Sequence, residues 1–493
     1  MSAAGSRVKS DRHNRHLSQS GPGSRYDPPH REDTLIHAKI ENVTEPLATF
    51  ASKLRYEDLP AAVVHQTKRF LLDSIGCAVG AWREDERKAG LARRIVEDFG
   101  AQGRASVIGG GRSHPALVAL GNGILVNATD NDDTHKRALA HIGSVVMPAA
   151  LAVTEDMGGS GRDLVTAIVA GYEVTARVGM AVMPTHYRFW HSTATNGTFG
   201  ATAAAGRAMN LDPVQMRLAF GSAGTQAAGL NTFFESGDDT KSLHPGKSGF
   251  NGVLGARAAA MGLTSPPDIF GHPKGYLAAY SLEPKIDVLS RGLGSEWTIL
   301  DNGFKYFPSI LASHSPIGAS LKIVSGNSPR PDQIKAVTVR TYATVKSHFS
   351  SKRVDTTMAA RLSVPYCVAV ALVDGEVGQA QFKEDRYRDP LVRALMEKVE
   401  IVADDELTKL YPEKFPAQLT VEMEDGSVHR SEMYYPKGDP SNALTDDEIR
   451  RKFEDNAAGV LEASTSRAIL DLIDDLPNLP NLAGLGGHLR ARS

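Results

Sequence analysis

The chain has 493 residues, of which 41% are hydrophobic and 23% charged, values typical of a folded protein with more than one domain. Its formal net charge of −2 disfavours a nucleic-acid partner or an anionic membrane surface. Two cysteines, Cys77 and Cys367, are too few for a disulfide framework, a four-cysteine zinc site or the cluster of an iron–sulfur dehydratase.

The N-terminal segment is predicted to be a disordered tail over residues 1–43. Residues 1–33 are rich in Ser, Gly, Pro, His and Arg and contain few large apolar side chains. No uninterrupted apolar run reaches the roughly 18–20 residues that a membrane span requires. We therefore expect a cytoplasmic protein. The basic character of the tail makes the mitochondrial matrix the alternative, although Pro22 disfavours the amphipathic helix of a presequence.

Helical periodicity begins at Thr44 and dominates the first half of the chain. Leu47, Phe50, Ala51 and Leu54 follow one another at the spacing of a buried helix face. Further helices are predicted near 60–77, 115–129, 145–158, 162–182, 197–209, 213–229 and 247–262. Many inward positions are Ala or Gly, which indicates close helix packing. Strands do not alternate with these helices, so a doubly wound sheet is disfavoured.

The pattern changes after about residue 285. Apolar and polar residues alternate over 337–341 and 419–423, and Asp425-Gly426 then predicts a hairpin. From Thr445 the chain is helical again. The prediction is a mainly α protein whose large helical bundle domain is interrupted by a smaller, inserted α+β domain. Its parts are the bundle (44–284 and 437–475), the α+β domain (285–436) and a C-terminal tail (476–493).

Two familiar binding motifs fail on spacing. A calcium loop starting at Asp130 would need Gly and Glu at its sixth and twelfth places, where His135 and His141 stand. A phosphate loop ending at Gly246-Lys247-Ser248 would need Gly at position 241, which is Lys241. No metal site is predicted, although the calcium test leaves magnesium and manganese open.

Four polar clusters interrupt the apolar helices, and each alone has an ordinary structural interpretation as a cap, a core histidine or a surface lysine. Together they suggest chemistry, because lysines bind carboxylates and a His–Asp pair can move a proton on carbon. A cation beside a carboxylate also stabilises a neighbouring carbanion, so no organic cofactor is required. The clusters are Asp130/Asp132/Asp133/Thr134/His135/His141, His191, Lys241/His244 and Lys305/His314.

Over about residues 44–470 the chain resembles the MmgE/PrpD family. The matching stretches include FLLDSIGCAVGA, NATDNDDTHKRALAH, WHSTATNGTFGATAAA, TKSLHPGKSGFNGVLGA, FKYFP and RLSVPYCVAVALVDG. The resemblance implies a lid-like α+β domain, a homodimer, a small-molecule polycarboxylate substrate and an active site between the domains. It also implies site residues, with His141, Asp130, Thr134 and His191 as catalytic and Lys241, His244, Lys305 and His314 as substrate-binding.

Family members catalyse several reactions, and we favour a lyase that eliminates water from a 2-methylcitrate-like acid. The alternatives are decarboxylation of cis-aconitate, epimerisation beside a carboxylate, and a non-catalytic dimer that binds a carboxylate. Decarboxylases resembling the itaconate-forming enzymes carry a histidine two residues after the proline of the lysine–proline segment. Here that position is Ile310. An apolar side chain cannot donate a proton or bind a carboxylate, which argues against decarboxylation.

Overall fold

The computed structural model of the protein describes residues 42–492. The predicted N-terminal tail therefore lies almost entirely outside the described residues. In the first part of the chain, helices pack around one large hydrophobic core. Their bounds are α1 Thr44–Lys53, α2 Ala61–Glu84, α3 Glu86–Asp98, α4 Pro115–Asn127, α5 Gly143–Met157, α6 Gly161–Val182, α7 Ser192–Ala208, α8 Pro213–Gly224, α9 Phe233–Ser236, α10 Thr240–Ala260 and α11 Tyr276–Tyr280.

A second hydrophobic core, built from residues 307–423, lies between helices and one mixed sheet. The elements are α12 Leu311–Asn327, β5 Ile334–Thr341, α13 Ala343–His348, α14 Thr357–Leu362, α15 Val364–Asp374, α16 Glu384–Tyr387, α17 Pro390–Glu397, β6 Val399–Ala403, α18 Asp405–Leu410, β7 Ala417–Met423 and β8 Val428–Met433. The sheet order is β6-β5-β7-β8, with β5 and β6 parallel and the other pairs antiparallel. The predicted fold class, mainly α with a smaller α+β part, is confirmed.

The chain then returns to the first core through α19 Asp446–Ala457, α20 Ala463–Asp474 and α21 Ala483–Arg490. The chain becomes helical again after Thr445, as the sequence predicts, and the Thr445 side chain caps α19 by accepting the Glu448 N–H. The segment expected as a C-terminal tail is part of the fold: Leu485 and Leu489 are buried in the first core. Their i, i+4 spacing puts both on one face of α21.

Residues 285–306, expected in the α+β part, also pack with the first core. Leu289 and Ile299 are fully buried there. Glu173 on α6 accepts the Ile299 N–H, and Arg177 donates to the Val288 carbonyl. These hydrogen bonds from a buried helix satisfy backbone groups that would otherwise be buried without partners. The change from one core to the other therefore lies near residue 307.

By length and composition α6 is apolar enough to cross a membrane, and 94% of its apolar window is buried within the protein, as in a core helix.

Helix α10 begins at Thr240 and passes through Pro245, although the sequence predicts a helix only from about 247. Proline removes one helical hydrogen bond, and the packing of α10 against α4 and α7 outweighs that loss. Lys241 and His244 consequently lie on a helix instead of a loop.

Small residues permit the closest of these contacts. A Cβ atom on Gly123 of α4 would lie 2.7 Å from the Cα of Gly246 on α10. A Cβ atom on Gly246 would lie 2.3 Å from the Leu120 carbonyl oxygen and 2.9 Å from Ile124 Cγ1. All three distances are well inside van der Waals contact, so the separation of the two helices depends on glycine.

Gly246→Ala should lower the free energy of unfolding by about 1–3 kcal/mol, because a methyl group at this contact forces the two helices apart. The matched control is Gly255→Ala on the same helix, where the nearest atom would be 3.4 Å from the new Cβ. There the better helix propensity of alanine should stabilise the protein by up to about 1 kcal/mol. Urea unfolding measures both, and equal effects of the two variants would contradict the close contact.

Candidate active site

The segment from Asp130 to His141 connects α4 to α5 and is buried along most of its length. Asp130 has a left-handed backbone conformation, with φ of 54°, which Asp and Asn tolerate better than most residues. Strand β3, Thr134–His135, then pairs antiparallel with β4, Asn302–Gly303. This short ladder brings Lys305, only two residues beyond β4, to the Asp130 segment. The sequence reveals neither the pairing nor the resulting convergence.

The centre of the site is the Asp130 carboxylate, which two lysines share. Its Oδ1 atom is 2.7 Å from Lys241 Nζ and 2.5 Å from Lys305 Nζ. Lys305 Nζ also donates to the Asp130 carbonyl oxygen at 3.1 Å. Burial alone would raise the pKa of Asp130, but the positive charges of Lys241 and Lys305 hold it well below its usual range. The ionised triad therefore carries one net positive charge.

His141 lies against this triad with a defined tautomer. Its Nδ1 is 3.0 Å from the Asp133 carbonyl oxygen, and its Nε2 is 3.7 Å from Asp130 Oδ1. A carbonyl only accepts, so Nδ1 carries the proton and Nε2 is free to act as a base. Burial, together with the positive charges of Lys305 and Lys241, lowers the pKa of His141 well below its usual range. The imidazole is neutral in the free protein.

The two neighbouring aspartates hold the segment in place. Asn127 Nδ2 donates to Asp132 at 2.9 Å, and Asp133 accepts from the Tyr172 hydroxyl at 2.6 Å. Asp133 also accepts the N–H of Gly143, the first residue of α5. Burial raises the pKa of Asp132 to about 6 and that of Asp133 to about 7. Asp133 therefore fixes the ring of His141, because its carbonyl oxygen accepts from Nδ1 and its carboxyl group is itself held by hydrogen bonds.

His191 and His244 form a pair beside His141. Their Nδ1 atoms are 2.9 Å apart, so one donates and the other accepts. Burial lowers the pKa of His191 well below its usual range and that of His244 to about 4, so both are neutral. The ring centre of His191 is 6.5 Å from that of His141.

A cavity of about 50 Å³ adjoins these groups and is lined from both cores. Its lining includes the predicted site residues Thr134, His141, His191, Lys241 and Lys305, of which His141 and the two lysines cluster around Asp130. The remaining lining residues are Leu139, Tyr187, Phe234, Ile310, Leu311, Ala312, Tyr342, Thr344, Phe349, Tyr411 and Phe415.

Three predicted site residues do not line this cavity. Asp130 contacts the two lysines and His244 contacts His191, whereas His314 is buried near Lys305, and burial together with that charge lowers the pKa of His314 to about 3. His314 Nε2 is 3.3 Å from the Ser309 carbonyl oxygen, and its ring packs on Phe307. Asp130 and His244 are thus placed to orient side chains that line the cavity. His314 is not among the lining residues.

Three tyrosines of the lining were missed by the sequence argument. Tyr342 and Tyr411 stack with ring centres 4.4 Å apart, and Tyr187 also faces the cavity. Burial raises the pKa of Tyr187, Tyr342 and Tyr411, so their hydroxyls stay neutral donors. In a single sequence nothing separates such aromatic residues from the hydrophobic core.

One group of side chains has the composition of a metal site. Ligand-type atoms of Asp130, Asp132 and His141 lie within 4.8 Å of one another. Two ammonium groups already contact Asp130, however, and their charges would repel a divalent cation at the same oxygen. The geometry therefore favours an anionic ligand beside Lys241 and Lys305 over a metal ion.

Comparison with known proteins gives a consistent result over most of the chain. Residues 45–289 match the MmgE/PrpD N-terminal domain model and residues 307–478 the MmgE/PrpD C-terminal domain model. The cis-aconitate decarboxylase-like protein oryM of Aspergillus oryzae is 30% identical over 459 residues, covering 87% of this chain and 93% of the relative. A cis-aconitate decarboxylase of Aspergillus terreus is 29% identical, with 87% and 92% covered. That of Homo sapiens is 26% identical, with 89% and 92% covered.

Asp130→Asn should lower the free energy of unfolding by about 3–5 kcal/mol, since it leaves two buried ammonium groups without a counter-charge. Asp332→Asn is the matched control, because Asp332 pairs with Arg330 at 2.8 Å on the exposed surface. Its effect should stay below about 1 kcal/mol. Chemical denaturation compares the two variants, and a small effect of Asp130→Asn would show that the triad is not the ionised cluster described above.

Proposed function

The chain belongs to the MmgE/PrpD family, and on that premise we propose that it is a carboxy-lyase acting on a small unsaturated polycarboxylate of the cis-aconitate type. The relatives support a lyase acting on a small polycarboxylate, and several are cis-aconitate decarboxylases. One observation carries the proposal: two buried ammonium groups and a neutral imidazole meet around Asp130 and line a single cavity.

In the proposed step, the carboxylate of the CH2 arm beside the carbon–carbon double bond leaves as carbon dioxide. Its electron pair forms a new double bond to the arm carbon, and the pair of the original double bond moves to the carbon that bears a second carboxylate. Lys241 and Lys305 stabilise the negative charge that develops there. A proton must then be delivered to carbon. Bound carboxylates raise the pKa of the nearby His141, so that Nε2 takes up a proton and donates it.

Dehydration of a 2-methylcitrate-like hydroxy acid is the second candidate, and a specific observation favours it. In the free protein His141 is neutral with Nε2 unprotonated, which is the state that a base needs to remove a proton beside a carboxylate. Ile310 stands where the resembled decarboxylases carry a histidine, which argues against decarboxylation. Both candidate reactions use the same lysines, so they are distinguished by which substrate the protein converts.

Proton NMR in heavy water with cis-aconitate and 2-methylcitrate as separate substrates tests the proposal. Decarboxylation of cis-aconitate gives a product that lacks one carboxylate, shows two new =CH2 signals and carries one deuteron. Dehydration of 2-methylcitrate instead turns its methyl doublet into a singlet, or adds a vinyl signal if the proton is taken from the CH2 arm. Solvent exchange without net conversion would indicate an epimerase. Binding without any reaction would favour a carboxylate-binding protein, and dehydration alone would overturn the carboxy-lyase assignment.

His141→Gln should lower kcat about 10²–10⁴-fold on the substrate that the wild type converts, because the variant lacks the group that moves the proton. His272→Gln, at an exposed histidine, is the control and should leave kcat unchanged. Circular dichroism and the melting temperature establish that both variants are folded. Wild-type turnover by His141→Gln would remove His141 from the mechanism.

Binding of tricarballylate, the saturated analogue of cis-aconitate that the proposed reaction cannot decarboxylate, should take up as much as about one proton per site at pH 7, because the neutral His141 gains anionic neighbours that raise its pKa. Isothermal titration calorimetry in buffers of different ionisation enthalpy measures this number. His141→Gln should abolish the uptake. A binding enthalpy independent of the buffer in the wild type would contradict protonation of the imidazole on binding.

A further inference from the structure

Beyond the lysines and histidines, the lining of the cavity has a different chemical character. Ile310, Leu311 and Ala312 form one stretch of its wall at the start of α12. Phe349, which directly follows α13, and Phe415, shortly before β7, form another. Except for Leu311, which is partly exposed, these side chains are buried.

Positive charge is scarce around this cavity. Within the lining described above, Lys241 and Lys305 are the only lysine or arginine side chains, and both contact Asp130. The nearby guanidinium of Arg361 is engaged elsewhere, since it donates to the Ala128 carbonyl and to Gln379. The triad thus offers one net positive charge, whereas a tricarboxylate brings three negative charges.

A carboxylate placed against the apolar wall would lose its water without gaining a counter-charge, which is strongly unfavourable. The tyrosine hydroxyls of the lining are neutral donors and do not replace a cation. An alkyl group placed there would gain by leaving water, at about 4-fold in affinity for each methylene buried. The wall therefore selects for an apolar substituent.

We propose that the substrate is an unsaturated dicarboxylate bearing a short alkyl group where cis-aconitate has its third carboxylate, with that group against Ile310, Leu311, Phe349 and Phe415. Its two carboxylates lie toward Lys241 and Lys305, which matches the available charge more closely. This inference rests on the proposed function, since it names the substrate class of the same site, and Ile310 is its specificity-determining residue.

Two ligand series test the inference by isothermal titration calorimetry against the wild-type protein. In 2-alkylmaleates and in 3-alkylglutaconates, methyl to isobutyl, one carboxylate-bearing position of cis-aconitate carries an alkyl group instead. The isobutyl group of 2-isobutylmaleate has nearly the shape of the carboxymethyl arm of cis-aconitate, so that pair differs mainly in charge. At least one series should bind 10-fold or more tightly than cis-aconitate, on the order of the selectivity of apolar pockets. Equal or tighter binding of cis-aconitate than of both series would overturn the inference.

Ile310→His should reverse the preference, with cis-aconitate gaining affinity and the alkyl ligands losing it. Leu282→His, at a side chain that is 84% exposed, introduces the same residue away from the cavity and should change neither. If Ile310→His does not fold, Ile310→Ala provides the test, because the larger cavity should shift the optimum to a longer alkyl chain. An unchanged preference in the folded variant would contradict the role of Ile310.

The substrate-class inference and the carboxy-lyase proposal can fail independently of each other. Tight alkyl-ligand binding without carbon dioxide release from any 3-alkylglutaconate would leave the substrate class intact and remove the proposed reaction. Release of carbon dioxide from cis-aconitate, together with weaker binding of every alkyl ligand, would support the carboxy-lyase reaction and overturn the alkyl-bearing substrate class.

Discussion

One oxygen of the Asp130 carboxylate accepts hydrogen bonds from two ammonium groups in a place that water does not reach. Two buried lysines would repel each other and lose hydration, and a single shared carboxylate only partly offsets this cost. The remaining positive charge is what an anionic ligand can exploit. Lys241 comes from α10 and Lys305 from the segment that leads into the second core. The same ionic contact therefore holds the start of that segment against α10 and the Asp130 loop.

The C-terminal helices complete this arrangement from behind. Lys452 on α19 donates to the carbonyl oxygens of Asn131 and Lys305, at 2.7 and 2.8 Å, and pairs with Asp73 at 2.7 Å. One side chain thus fixes the backbone next to Asp130 and at Lys305 relative to α2. Groups that must stabilise developing charge work best when they need no rearrangement during the reaction. The return of the chain to its first core supplies that rigidity.

Much of the fold is predictable because local patterns agree with global packing. The helix predicted near 162–182, the return to helix from Thr445 and the Asp425-Gly426 turn each agree with the structure that is found. Prediction fails where distant contacts override a local rule, as at Pro245 inside α10. The site residues are visible as separate polar clusters, but their meeting depends on the β3–β4 pairing, which has no signature in the sequence.

The triad and His141 do not by themselves select a reaction. Loss of carbon dioxide, loss of water and epimerisation all place negative charge beside a carboxylate, and the two lysines stabilise that charge whichever bond breaks. Selection must come from the groups that position the rest of the substrate, because these decide which bond lies parallel to the developing π system. In this cavity those groups are apolar and aromatic. Ile310, on that wall, therefore bears more directly on the reaction outcome than the charged residues that the resemblance identifies.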